Sequence, residues 1–128
     1  MENADVYVGV DWSGARGNRL KSLRVAICGA GVRTPRLVPG PIRGDWSRPA
    51  FLEWISEQRA PGKRVYCGLD FSFCFPYCDQ GRYFPALKNL PKAARDFWSR
   101  VELVCSSDPD LFGGKLAEDE RFRGAFPG

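Results

Sequence analysis

The stretch VYCGLDFSFCFPY, Val65 to Tyr77, places one aspartate, Asp70, in the middle of an otherwise hydrophobic segment. Near the start of the chain, VYVGVDWSG, Val6 to Gly14, has the same feature at Asp11. Both stretches follow the pattern V-Y-x-G-(V/L)-D-(aromatic)-S. Because β-branched and aromatic residues favour strands, the pattern predicts two similar strands that each end at an aspartate.

Two further strands and a tight turn are predicted between these segments. Leu23–Cys28 is rich in β-branched residues, and Gly29–Gly31 (GAG) is typical of a turn. A weaker strand follows at Val32–Val38. Because Pro35 cannot donate a ladder hydrogen bond, this third strand is predicted to lie at an edge of the sheet.

Helices are predicted on either side of the second aspartate strand, Arg64–Asp70. The first helix begins with Ser47 or Arg48 as its cap and Pro49 in its first turn, and it runs to about Arg59. The second begins near Pro91. Its apolar residues recur with helical spacing over a single buried face: Leu90, Ala93, Ala94, Phe97, Trp98, Val101 and Val104. Val101–Cys105 is alternatively read as a short strand.

This order of elements predicts an α/β fold with a mixed sheet: three antiparallel strands, a helix, a parallel strand and a helix. A right-handed helical crossover would place the strand of Asp70 beside the strand of Asp11 and parallel to it. Both carboxylates would then lie at the carboxyl ends of neighbouring strands, where open α/β sheets form their clefts.

Two facing carboxylates are typical of a divalent-cation site. Ionised together they repel, and Mg²⁺ or Mn²⁺ bound to Asp11 and Asp70 would remove that repulsion and support phosphodiester hydrolysis. Ser13 and Ser72, each two residues after an aspartate, are candidates for binding substrate or water. Arg16, Arg19 and Lys21 are candidates for neutralising phosphate. The alternative is that both aspartates only cap loops or bind backbone amides.

VGVDWSGA and YCGLDFSFCFPY resemble the ribonuclease H-like superfamily, and more narrowly its uncharacterised predicted RNase H-like nucleases. Those proteins share a G-x-D-x-S opening strand and a later G-(I/L)-D-(F/A)-x-(F/L)-x-x-P strand. The resemblance covers about Val6 to Pro76. It implies metal-dependent phosphodiester cleavage in which strand-end carboxylates, here Asp11 and Asp70, bind the metal.

The resemblance also implies further carboxylates, one from the first helix or a later element and one from a C-terminal helix. Glu53 in the first helix falls opposite the apolar face and is predicted to be solvated. Asp79, Asp108 and Asp110 remain candidates, and residues 118–120 are read as a charged surface turn. The superfamily's last strand and helix are not found. Either the chain is a truncated member, with an irregular segment at 106–128, or the missing part comes from elsewhere.

Two other classes of protein remain open. Actin-like sugar kinases and ATPases also begin with an aspartate strand and a glycine turn, which DWSGARG resembles, but they need two full domains. A non-catalytic ribonuclease H-like module would instead bind a partner or dimerise through aromatic surface. Its candidate residues are Trp12, Trp46, Phe73, Phe75, Tyr77, Tyr83 and Phe84.

Composition limits the remaining possibilities. A chain of 128 residues with 44% hydrophobic residues predicts one globular domain, 1–128. The absence of a long apolar run, together with five cysteines in no disulfide-like layout, predicts a cytoplasmic protein that does not enter the membrane. A net charge of +4 fits a nucleic acid or nucleotide partner. An incomplete core would leave an uncovered edge, which predicts a homodimer.

Overall fold

The protein is represented by a computed structural model that describes residues 4–70 and 92–123. The chain divides into two compact units, residues 1–71 and 72–128, and each is described by itself. The first unit contains the sheet and both aspartate strands. The described part of the second contains two helices. None of the helices within the described ranges is both long and apolar enough to cross a membrane.

The first unit is built on a mixed sheet that has four strands among the described residues: β1 (Val6–Asp11), β2 (Arg24–Gly29), β3 (Arg36–Val38) and β4 (Val65–Asp70). Their order is β3-β2-β1-β4. β1 and β2 are antiparallel, as are β2 and β3, whereas β1 and β4 are parallel. The prediction that the two aspartate strands lie adjacent and parallel is therefore confirmed.

The third strand is shorter than predicted. Val32 belongs to the turn after β2, where its N–H donates to the Gly29 carbonyl over 3.1 Å, and Gly31 has φ +76°. Only the three residues after Pro35 pair with β2. β3 forms an edge of the described sheet, as was predicted from the presence of Pro35.

One face of the sheet packs against the helix α1 (Arg48–Glu57). Ser47 is its N-cap and accepts a hydrogen bond from the Ala50 N–H over 3.2 Å, and Pro49 occupies the first turn. α1 ends two residues before the predicted Arg59. The buried core of this unit contains residues from the sheet, from α1 and from the segments between these elements. They are Val8, Val10, Leu20, Leu23, Val25, Trp46 and Phe51.

The loop before α1 depends on a close backbone approach at Gly40. An added Cβ at this position would overlap the backbone of Asp45 and Trp46. We expect Gly40→Ala to lower the free energy of unfolding by about 2 kcal/mol, because backbone atoms rather than a flexible side chain would have to move. Urea unfolding measures this effect. Gly14→Ala, where a Cβ meets nothing within 4 Å, is the matched control. Equal unfolding midpoints for the two variants would contradict the expectation.

The second unit contains α2 (Ala94–Cys105) and α3 (Lys115–Glu118). Phe97, Cys105, Leu116 and Phe122 form its buried cluster. α2 continues through Cys105, so the alternative of a short strand at Val101–Cys105 is wrong. The predicted burial of Trp98 is also wrong, since this side chain is 49% exposed. The short α3 lies within the segment 106–128, which was predicted to be irregular.

Candidate functional site

Asp11 and Asp70 are paired across the parallel strands. The register of β1 and β4 aligns the two similar sequences residue for residue, from Val6 with Val65 to Asp11 with Asp70. Neighbouring strands lie about 4.8 Å apart. Both aspartates are the last residues of their strands, so the two carboxylates lie together at the carboxyl ends of β1 and β4.

Both aspartates belong to the face of the sheet that α1 does not cover. Side chains alternate between faces along a strand, and in β1 the buried residues Val8 and Val10 alternate with exposed ones. We call the exposed side the open face, and it carries Tyr7, Gly9 and Asp11 on β1 and Tyr66, Gly68 and Asp70 on β4.

The two carboxylates are accessible to a ligand. Asp11 and Asp70 are both exposed, and neither side chain forms a hydrogen bond or ion pair with another residue of 4–70 or 92–123. The alternative of aspartates that only cap loops or bind backbone amides therefore has no support among these residues. Two like charges this close repel when both are ionised.

A divalent cation fits this arrangement. Carboxylate oxygens are hard ligands, and Mg²⁺ is commonly bound by one or two carboxylates together with water and substrate phosphate. No group of three or more His, Cys, Asp or Glu side chains that could hold a metal occurs within the described ranges. A cation at this position would have the two aspartates as its protein ligands among the described residues, and water or substrate would fill the remaining coordination positions.

The loop after Asp11 is fixed by a buried arginine. Arg48, 4% exposed, donates through Nη2 to the backbone oxygens of Ser13, over 2.8 Å, and of Ala15, over 2.7 Å. Its guanidinium also lies 6.0 Å from the centre of the Trp12 ring. Sequence reasoning treated Arg48 only as a possible helix cap. Its position at the start of a predicted helix gave no signal of this contact.

Ser13 has a place in the same loop. Its side chain is buried, with its Oγ 2.7 Å from Ser22 Oγ, and it accepts a weaker hydrogen bond from the Ala15 N–H at 3.3 Å. The hydroxyl thus contributes to loop structure. A substrate-binding role for Ser13 stays a prediction, and its counterpart Ser72 lies outside the described residues.

The basic residues near the site are mostly engaged. Arg19 Nε donates to Asp45 Oδ2 over 2.7 Å, and Arg24 Nη1 lies 3.8 Å from the other oxygen of that carboxylate. Arg16 is exposed and takes part in a further interaction, and Lys21 is exposed. Arg24 was not singled out from the sequence, yet the β1–β2 register pairs it with Asp11. Phosphate binding by Arg16 and Arg19 stays a prediction.

The other candidate carboxylates are placed as follows. Glu53 is exposed, as its position on the helix predicted. Asp108 belongs to the second unit, where it accepts hydrogen bonds from the backbone of Asp110, over 2.8 Å, and of Phe112. Desolvation raises its pKa, but these bonds and Lys115 hold the net value below its usual range. Asp79 and the aromatic candidates Phe73, Phe75, Tyr77, Tyr83 and Phe84 lie outside the described residues.

The predicted charged turn at 118–120 also lies in the second unit. Arg121 donates from Nε and Nη2 to the two carboxylate oxygens of Asp119, over 2.8 and 2.7 Å. The hydrogen bond from this guanidinium lowers the pKa of Asp119 to about 2. Asp119 is therefore engaged by its own neighbour in the chain.

Comparison of the chain with protein-family models, with curated proteins and with solved structures found no match. What the site can do chemically therefore depends on the properties of its own residues. Two exposed carboxylates at paired strand ends can bind a divalent cation, and the adjacent loop is held in place by Arg48. Such a centre can polarise a phosphate and activate water.

Proposed function

We propose that the protein is a metal-dependent phosphodiester hydrolase, a nuclease of ribonuclease H-like type. The observation that carries this proposal is the parallel register that pairs Asp11 with Asp70. Paired strand-end carboxylates without other partners among the described residues are suited to Mg²⁺ or Mn²⁺, and these ions favour phosphate oxygens as additional ligands.

The sheet gives further support. A superfamily member is expected to have three antiparallel strands followed by a helix and a strand parallel to the first. The four-stranded mixed sheet with its one parallel pair among the described strands supports the proposal. β4 pairs only with β1 among the described residues, so it leaves an edge at which a second copy could add. Self-association through this edge stays a prediction.

The residues of the chain would act by position and charge. Asp11 and Asp70 would hold one or two cations against the scissile phosphate. When bound, the metal would activate water and stabilise the negative charge of the leaving oxygen. Arg24, paired in register with Asp11, is placed to attract the phosphate backbone. Arg48 would keep the loop beyond Asp11 in one conformation, which preserves the spacing of the site.

Cleavage of nucleic acid tests this function. Labelled single-stranded and double-stranded DNA and RNA are incubated with the protein in Mg²⁺, in Mn²⁺ and in EDTA, and products are resolved on denaturing gels. We expect cleavage of at least one substrate with metal and none in EDTA. Asp11→Asn is the matched control for a contaminating nuclease and should abolish the activity. Cleavage that survives this substitution, or no cleavage of any substrate, would contradict the proposal.

A further inference from the structure

The open face carries an aromatic pair at the end opposite the aspartates. Tyr7 and Tyr66 are partners in the parallel register, and their ring centroids lie 6.2 Å apart with planes inclined at 49°. Tyr66 is 65% exposed and Tyr7 is 39% exposed. Tyrosine rings usually bury much of their area. Two large aromatic surfaces are thus presented side by side to solvent.

The positions between the tyrosines and the aspartates on the open face are glycines, which have no side chain. Gly9 and Gly68 are register partners, and a Cβ built on either one would meet nothing within 4 Å. On the neighbouring strand, Ala26 pairs with Gly9, so this part of the face also has a small side chain there. A strip of surface formed by glycine backbone therefore separates the aromatic pair from the carboxylates. Four residues of strand give it a length of about 13 Å.

The first unit carries a net positive charge, which favours an anionic partner. Residues 4–70 contain eleven Lys and Arg against six Asp and Glu, and two of those six acidic residues are the carboxylates that a cation would neutralise. Arg24 lies at the aspartate end of the open face, where the β1–β2 register pairs it with Asp11. Arg64 begins the segment that leads into Tyr66, and its side chain is about half exposed.

We infer that the open face binds single-stranded nucleic acid, with a base stacked on Tyr66 and Tyr7, the backbone crossing Gly9 and Gly68, and a phosphate at the cation that Asp11 and Asp70 would hold. Bases stack on exposed aromatic side chains of a sheet independently of their sequence. The bases of a duplex are stacked on one another and cannot reach the tyrosine rings. This inference rests on the proposed function for the role of the aspartate end and names its substrate class.

Fluorescence anisotropy with labelled oligothymidine and oligouridine of about 12 nucleotides tests the inference. Titrations are run in EDTA and in Ca²⁺, so that binding is measured apart from cleavage. We expect Tyr66→Ala to weaken binding about tenfold, and Tyr7→Ala with Tyr66→Ala to weaken it further, because each stacked base loses its aromatic partner. Tyr66→Phe keeps the ring and should bind as the parent does. Leu52→Ala, an exposed position on α1 and so away from the open face, is the matched surface control.

Several outcomes would overturn the inference. They are absence of oligonucleotide binding, equal affinity for a duplex of the same length, and unchanged affinity in the double tyrosine variant. A change of oligomeric state in Tyr66→Ala, seen by light scattering without a change in oligonucleotide affinity, would assign the tyrosines to a second copy of the chain instead.

The same variants separate this inference from the proposed function. Tyrosine-dependent binding in EDTA by a protein that binds no Mn²⁺ would support the stacking surface and remove the nuclease proposal. Normal Mn²⁺ binding, together with an oligonucleotide affinity that does not change in the tyrosine variants, would remove the stacking surface and leave the nuclease proposal standing. Tyr66 is four residues from Asp70 along the strand, so Tyr66→Ala should leave Mn²⁺ affinity unchanged.

Discussion

Replacement of Arg48 by methionine is expected to destabilise the first unit by about 3 kcal/mol. The buried guanidinium donates two short hydrogen bonds, to the carbonyl oxygens of Ser13 and Ala15. Hydrogen bonds from charged groups contribute more than neutral ones, and carbonyl groups left without donors lose both the bond and hydration. Methionine keeps much of the side-chain volume, so the loss reflects the missing donors rather than a large cavity.

Urea unfolding followed by tryptophan fluorescence measures this loss. Arg59→Met is the matched control, because Arg59 is exposed at the end of α1 and its side chain has no partner among the described residues. The control should change stability by less than about 0.5 kcal/mol. If Arg48→Met unfolded at the same urea concentration as the control, the loop after Asp11 would not depend on Arg48.

Single replacement of Asp11 or Asp70 by asparagine is expected to weaken Mn²⁺ binding by roughly 100-fold or more, since substitutions outside the ligand shell already cost 10- to 100-fold. Each replacement removes one of two fixed charges and one anionic ligand, while side-chain shape is kept. Calorimetric titration of Mn²⁺ into the parent and the two variants gives the affinities. Binding that is lost in one variant and retained in the other would show that the aspartates do not share a cation.

The asparagine variants should remain folded. Like charges on neighbouring carboxylates repel without metal, so removal of one charge leaves stability equal or slightly higher. Thermal unfolding of the metal-free proteins checks this point. A loss of several kcal/mol would mean that the aspartates support the fold, and the calorimetric comparison would then report unfolding instead of ligand loss.

The parallel pair was predictable because the sequence repeats itself. V-Y-x-G-(V/L)-D occurs twice, and equal patterns place Tyr, Gly and Asp on the same face of each strand. A one-residue slip would put an apolar side chain opposite each polar one, so burial favours the register that aligns Asp11 with Asp70. The capping of α1 by Ser47 and the edge position of β3 followed from local chemistry in the same way.

Contacts between residues far apart in the chain were not predictable. Arg48 reaches a loop more than 30 residues earlier, and no periodicity or turn signal announces such a hydrogen bond. The burial of Ser13 depends on Ser22, which the loop brings close. Trp98 fits the apolar stripe of α2 by spacing, yet it is exposed because Phe97, one residue earlier, occupies the buried cluster. Helical spacing alone does not decide whether Phe97 or Trp98 is the buried residue.

We propose that Asp11 and Asp70 bind one divalent cation together. A crystal structure of the protein grown with Mn²⁺ and measured at the manganese absorption edge tests it most directly. We expect an anomalous peak at the carboxyl ends of β1 and β4, with a carboxylate oxygen from each aspartate among the ligands of the ion. A manganese ion bound elsewhere, with both carboxylates still turned to solvent, would contradict it.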